Sequence, residues 1–435
     1  MMRIYVSSLG CKLNQAEMDA LAARLAQDGN QIVASAAEAD LAVLNTCAVT
    51  HVAARKSRQA LRRLHRENPA ARLVITGCYA ELAPGDLSDL PGVDLLVGNQ
   101  GKDELAALLQ PPKIAPDLPS ADRPEVNAGP KGRTRALVKI QDGCDNACTY
   151  CVIHLARGPQ RSRPADRVLE DVRARLTAGH HEIVLTGVHI GAYGHDRQEG
   201  SQGGTDLWSL VQRILAETGV ERLRLSSIEP WDLPKRALDL WQDPRLCRHL
   251  HLPLQSGCDA TLRRMGRRYD TAEFADLVQA ARVAIPDLAV TSDLIVGFPG
   301  ETEAEFAQSL DFVEHMAFAR LHVFPYSRRQ GTPAAALPGQ VPHPVKAARA
   351  RTMREVAAAS GRAFRQQFIG RRLSVLWEAC SQRDGRCLWN GLTDNYLRVQ
   401  APGPPGLANS SSQVRLTGLS RSSLRGQIED QKSGG

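Results

Sequence analysis

Three cysteines near the amino terminus each close a short apolar run: Cys11 in SSLGCKLNQAE, Cys47 in AVLNTCAVTH and Cys78 in LVITGCYAEL. Small or turn-forming residues bound each run, as they bound buried strands. The segments LNQAEMDALAARLAQDG, HVAARKSRQALRRLHREN and DELAALLQ have the length and periodicity of helices. Alternating strands and helices predict a parallel sheet covered on both faces, and the carboxyl ends of its strands share one ligand-binding edge. Three cysteines at three such ends are therefore expected to meet. One alone reads as a small buried apolar residue; three in equivalent places do not.

A second set, Cys144, Cys148 and Cys151 in QDGCDNACTYC, supplies three thiolates within one tight loop. Soft sulfur ligands select zinc or iron-sulfur clusters. Structural zinc takes a fourth protein ligand, and no Cys or His at zinc-finger spacing accompanies this loop, although His154 is close by. A four-iron cluster held by three cysteines leaves one iron open to a small molecule.

Cys-x-x-x-Cys-x-aromatic-Cys, with Tyr150 as the aromatic, resembles the cluster loop of radical S-adenosylmethionine (SAM) enzymes. That resemblance implies SAM chelated to the open iron and cleaved reductively to a 5'-deoxyadenosyl radical. With the first triplet beside it, the chain resembles the methylthiotransferase family over nearly its whole length. SLGCKLNQAE, NTCAVT, GCYAEL, KIQDGCDNACTYC, ARGPQRSRP, HLPLQSGCD, RRMGRRY and SDLIVGFPGETE carry the likeness. It implies two 4Fe-4S clusters, the radical one on Cys144, Cys148 and Cys151 and an auxiliary, sulfur-presenting one on Cys11, Cys47 and Cys78, with a second SAM as methyl source. It also places Gly187 of TGVHIGAYG at the SAM amino and carboxylate groups, Glu229 of SSIEP as a polar SAM contact and Gly297 of DLIVGFPGE near the adenine. Without the family, Gly187 and Gly191 read as ordinary turn residues. One departure stands out: His154 and Leu155 in VIHLARG replace the usual proline and aromatic.

A chain of 435 residues is long for a single core and suggests several units. Residues 1–110 form the expected Rossmann-like amino-terminal domain, and proline-rich 111–134 reads as a linker. In 135–368, ALVKI, EIVLTG, RLRLSS, HLHLPL, LAVTSDLIVGF and RLHVFPY read as six strands, most followed by helical patterns. The resemblance makes this a partial (β/α)6 barrel, with active residues at the strand carboxyl ends. His249 and His251 alternate along a strand and read as satisfied barrel residues rather than ligands.

The remainder, 369–430, gives short alternating strands between Gly, Pro and Ser clusters, a small all-β pattern resembling the TRAM RNA-binding module. From Gly361 onward basic residues exceed acidic ones by about six, close to the whole chain's net charge of +7. Such a concentration favours a polyanion, or is a solvated basic face. Arg371, Arg372, Asn395, Tyr396 and Arg398 are the expected RNA contacts, and the basic helix HVAARKSRQALRRLHREN could also face RNA. Cys247, Cys258, Cys380 and Cys387 are expected as unpaired structural thiols, and ten cysteines with many at site positions fit a reducing compartment. No run spans a bilayer and no signal peptide opens the chain, so a cytosolic protein is expected.

The resemblance implies a tRNA methylthiotransferase that needs a low-potential reductant protein and a sulfur source. GLTDNYLRV, KIQDGC and HVFPYSRRQGTPA resemble the branch acting on N6-threonylcarbamoyladenosine beside the anticodon. The isopentenyladenosine branch, an enzyme acting on a ribosomal-protein aspartate and a non-catalytic iron-sulfur RNA sensor are the alternatives.

Overall fold

The computed structural model describes residues 1–109, 134–197, 206–383 and 386–429. The expected linker therefore lies outside the described residues, except for Thr134. The amino-terminal unit is a five-stranded parallel sheet, ordered β2-β1-β3-β4-β5. Its strands are β1 Arg3–Ser8, β2 Gln31–Ile32, β3 Leu41–Thr46, β4 Arg72–Gly77 and β5 Val93–Val97. Every residue of β3 is buried, as expected of a central strand between two helical layers; its polar end, Asn45 and Thr46, is hydrogen-bonded to Glu17 and to the Thr76 carbonyl.

Two features of this unit depart from the sequence reading. VDLLV forms β5, which the periodicity did not single out. DELAALLQ follows β5 rather than Cys78 and shortens to a 3-10 turn, Gln100–Glu104, and one helical turn, Leu105–Leu108. Cys78 instead opens the five-residue helix Cys78–Leu82.

The central unit carries β6 Arg135–Lys139, a short antiparallel pair β7 Gln141–Asp142 and β8 Arg161–Ser162, then β9 Glu182–Thr186, β10 Arg222–Leu225, β11 His249–His251, β12 Ala289–Val296 and β13 Arg320–Pro325. Two parallel sheets, β10-β9-β6 and β11-β12-β13, are joined by parallel bridges Leu223 to Leu246 and Ser227 to His251. Together they make a curved, open six-strand barrel around one large apolar core. Its helices start where local chemistry dictates: Asp270 and Glu273, like Thr302 and Glu305, form capping boxes that satisfy otherwise orphaned N–H groups. The helix Lys12–Gln27 of the first unit packs along the edge strand β6, so the two units share a face.

The last five strands, β14 Arg372–Arg383, β15 Arg386–Thr393, β16 Arg398–Gly403, β17 Ser411–Leu419 and β18 Leu424–Ile428, close into a barrel. Trp377, Val399, Val414 and Leu416 fill it. Cys380 and Cys387 are disulfide-bonded across its first hairpin, which corrects the expectation of free thiols. Antiparallel pairing of Cys380 with Trp389 and of Gln382 with Cys387 sets the two sulfurs on one face of neighbouring strands. Cys247 and Cys258 are buried and free, as expected.

This small barrel docks on the amino-terminal ends of the central strands. Arg224 of β10 is wholly buried, pairs with Glu182 of β9 at 2.6 Å and donates to the carbonyl of Asp394. Arg248 pairs with Asp394 at 2.6 Å. The Tyr396 ring stacks on His249, centroids 4.2 Å apart. His249 and His251 both contact Thr291 Oγ1 at 2.9 Å; His251 also meets Asp293 at 3.3 Å, whereas the buried Nδ1 of His249 has no hydrogen-bond partner among the described residues, so the expectation of two satisfied histidines holds for His251 alone.

A two-triplet site at the strand carboxyl ends

Cys11, Cys47 and Cys78 follow the carboxyl ends of β1, β3 and β4, adjacent strands of one parallel sheet. Two glycines let them approach. Gly10 has φ +99°, and a Cβ there would stand 2.8 Å from Cys47 Sγ; Gly77 has φ +104°, and its Cβ would meet the Thr46 carbonyl at 2.3 Å. Side chains cannot occupy either position. Burial lifts the Cys47 thiol to about 11, and Cys78 and Cys11 both push it in the same direction. Asn14 accepts from Cys11 Sγ at 3.6 Å, and Asn99 Nδ2 stands 3.8 Å from Cys78 Sγ.

The second triplet lies beyond β7, at the carboxyl edge of the central barrel. Asn146 N–H donates to Cys144 Sγ at 3.4 Å, and His189 Nδ1 lies 4.0 Å from the same sulfur. Cys148 Sγ accepts from Arg267 at 3.5 Å. Burial, with Cys148 and Cys144 acting in the same sense, pushes the Cys151 thiol up to about 12. Among the described residues no three side chains are closed to ion-binding geometry, so the fit rests on the donor set. Each set gathers three thiols, in which neighbouring sulfurs disfavour the ionisation of Cys47 and of Cys151, and a metal bound there would take the place of the thiol protons.

The remaining expected cofactor residues surround the second triplet. Tyr150 packs with Met265, Phe298 and Tyr326, and its hydroxyl is 3.5 Å from Arg267. Glu229 is ion-paired with Arg267, whose guanidinium also lies over Trp231 at 4.8 Å. Gly187 fits against the Gln141 carbonyl, where a Cβ would come within 2.9 Å. The Gly297 N–H donates to the Glu301 carboxylate, and Lys346 occupies the space where its side chain would be.

What joins the triplets lay hidden in the sequence. Arg157, 1 % exposed at its side chain, pairs at 2.8 Å with both Glu17 and Asp142 and donates to Asn14 at 2.6 Å. Lys102 and Lys139 complete the group around Glu17. Burial would raise the Glu17 carboxyl, but Lys102, Arg157 and Lys139 outweigh it and hold the group well below the usual range. Asn99, beside Cys78, donates to the Ala156 carbonyl at 2.5 Å. The first triplet is thus tied to the ARGPQRSRP segment immediately after the second. The motif ARGPQRSRP was visible; that its arginine meets an acid 140 residues away was not.

Of the expected RNA contacts, Asn395 is buried, donates to the Asp287 carbonyl at 3.2 Å and sits at the wall of an arginine-lined cleft. The Tyr396 ring likewise packs into the junction, with Arg224 5.1 Å from its centroid. The turn that carries these residues sits between the central barrel and the cleft, and the half-buried Tyr396 lines that cleft beside Arg398. Arg371 pairs with Asp287 and Arg372 with Glu429 at 2.8 Å. Arg398 is exposed and lines a cleft of about 750 Å³ with Arg320, Arg354, Arg362, Arg365 and Arg421.

An open parallel barrel with three cysteines in the loop after its first strand defines a radical SAM enzyme. Residues 138–313 match the profile described as Radical SAM superfamily, and residues 3–98 match Uncharacterized protein family UPF0004. The chain is 36% identical to the threonylcarbamoyladenosine tRNA methylthiotransferase MtaB of Bacillus subtilis (strain 168), over 94% of this chain and 92% of that one. It is 33% identical to the tRNA-2-methylthio-N(6)-dimethylallyladenosine synthase of Maricaulis maris, over 99% and 98%. The radical SAM methyltransferase TsrM of Kitasatospora setae shares the fold, with a TM-score of 0.54 at 15% identity over 77% of each chain. The chain belongs to the radical SAM methylthiotransferase family, whose cofactors are SAM and 4Fe-4S clusters. No helix among the described residues is long and apolar enough to cross a membrane.

Proposed function

We propose that this chain is a tRNA methylthiotransferase that converts N6-threonylcarbamoyladenosine beside the anticodon to its 2-methylthio derivative. The observation that carries the reading is the pair of cysteine triplets at strand carboxyl ends, held on two units that the buried Arg157 fastens together. Cys144, Cys148 and Cys151 would hold the radical cluster, and Cys11, Cys47 and Cys78 the auxiliary one. When bound, the first supplies the electron for reductive SAM cleavage and the second presents the sulfur to be transferred.

The chain's own residues do the rest. Arg267 neutralises Glu229 beside Cys148, and Tyr150 with Phe298 and Tyr326 walls the loop with apolar surface. Asn14 and Asn99 orient two of the three amino-terminal sulfurs. Tying both triplets together through Arg157 and Asn99 supports transfer within near-attack distance. A low-potential reductant protein, a sulfur donor and a cytoplasmic setting belong to the same proposal.

RNA binding is assigned to phosphate contacts. The arginines of the carboxyl-terminal cleft, Arg398 with Arg362 and Arg421, have no acid partner among the described residues. On the helix His51–Glu67, Arg55, Lys56, Arg62 and Arg66 face solvent. The dimethylallyladenosine substrate of the Maricaulis relative is the second reading. Mass spectrometry of nucleosides from cells with and without the gene decides between them, by which methylthio nucleoside is lost.

A further inference from the structure

The loop after β13, within HVFPYSRRQGTPA, touches both cysteine loops. The Ser327 hydroxyl accepts from His51 N–H at 3.3 Å, four residues beyond Cys47. On the other side the Ala334 N–H donates to the Thr149 carbonyl at 2.8 Å, between Cys148 and Cys151. A Cβ on Gly331 would rest 3.0 Å from Leu155. A turn closed by Thr332 on the Arg329 carbonyl fixes the backbone of this bridge.

Arg329 stands on that bridge. Its neighbours around the triplets are each committed: Arg157 to Glu17 and Asp142, Arg267 to Glu229, Arg58 to the Tyr79 hydroxyl. Arg329 has no carboxylate partner among the described residues. Its Nε is buried with no hydrogen-bond partner, and among the described residues its one side-chain hydrogen bond is to His51 Nδ1 at 3.5 Å. His51, which it contacts, opens the helix four residues beyond Cys47, so the guanidinium stands beside the loop of the auxiliary triplet. A half-buried guanidinium with an orphaned donor is complementary to an oxyanion, which its planar fork binds in two-point fashion.

We propose that Arg329 is an oxyanion-binding residue of the substrate site, taking a carboxylate or phosphodiester oxygen of the nucleotide presented between the two cysteine triplets. This rests on the tRNA methylthiotransferase reading above. Both sources belong to the same nucleotide: the threonylcarbamoyl carboxylate and the phosphodiester flanking the target nucleoside. A purely electrostatic support of the Cys47 loop is the competing role.

The test compares reconstituted wild type, Arg329→Gln and Arg329→Lys by anaerobic fluorescence anisotropy and by iron content. Three anticodon stem-loops are used: the threonylcarbamoyl parent, one with its carboxylate amidated, and one with a methylphosphonate at the flanking linkage. Arg329→Gln is expected to weaken binding of the parent by about ten- to a hundredfold, with two clusters' iron retained and Arg329→Lys intermediate. The analogue that lacks the bound oxyanion should bind wild type and Arg329→Gln equally, which identifies the source. Parent affinity within twofold of wild type, an equal loss on all three RNAs, or loss of the auxiliary cluster's iron would each overturn the assignment. Product formation by wild type on the parent RNA is scored separately, so a wrong substrate leaves that reading refuted and the affinity comparison intact.

Discussion

Arg157 Nη1 lies 2.8 Å from Glu17 Oε1, a buried ion pair that joins the amino-terminal sheet to the loop region of the central barrel. Asp142, two residues before Cys144, shares the same guanidinium nitrogen. One side chain with acids on either side thus helps set the relative placement of the two cysteine triplets, together with Lys139 on Glu17 and Asn99 on the Ala156 carbonyl.

Arg157→Ala should accordingly separate two functions. Removing Arg157 leaves Glu17 to Lys102 and Lys139 and Asp142 to Lys139 alone, and the lost charge-assisted hydrogen bonds should cost about 1.5–3 kcal/mol, read as a lowered unfolding midpoint. SAM cleavage without methylthiolation should rise relative to product. An unchanged ratio of 5'-deoxyadenosine to methylthio nucleoside would show that the pair does not set the spacing.

Cysteine substitutions should divide the same way. Cys148→Ala should abolish 5'-deoxyadenosine formation, whereas Ala at Cys11, Cys47 and Cys78 together should preserve SAM cleavage and end methylthiolation. Iron should fall to that of one cluster in each. Loss of both clusters in the triple mutant would show that the sites are not independent.

The strand-end cysteines were legible because alternation of apolar runs and helical segments sets a parallel sheet, and parallel sheets put successive strand ends on one edge. Glu17 and Arg157 were not, because pairing across 140 residues leaves no local period. The packing of the turn bearing Asn395 and Tyr396 was not legible, because a polar turn between short strands ordinarily meets solvent. Here it meets Arg224, His249 and Asp287. Arg224 and Glu182 themselves sit in runs, RLRLSS and EIVLTG, whose charges mimic an exposed strand face while both side chains are wholly buried.

That buried pair gives the docking of the small barrel a pH dependence. Burial would raise the Glu182 carboxyl, but Arg224 and Arg222 outweigh it and hold the group at about 2, against 4.5 when free. A depressed folded value means the contribution is complete above 4.5 and is lost as pH falls toward 2. Thermal unfolding of the wild type should weaken across that window. Glu182→Gln should be less stable at neutral pH and flatter in acid; an identical acid profile would assign the loss to other groups.

Neutralising Arg362, Arg398 and Arg421 to Gln should weaken tRNA binding and reduce the slope of log affinity against log salt by about two to three, if each meets one phosphate. Folding should be unaffected, since all three are exposed. Titration of one tRNA at several salt concentrations reads both quantities, and an unchanged slope would remove the cleft from the RNA-binding surface.

The most direct measurement is on total tRNA from cells in which the gene is deleted, digested to nucleosides and resolved by mass. The 2-methylthio form of N6-threonylcarbamoyladenosine should vanish and its unthiolated precursor accumulate, with recovery by wild type but not by Cys148→Ala. Persistence of that nucleoside, with loss of the methylthio form of isopentenyladenosine instead, would contradict the substrate and leave only the family chemistry.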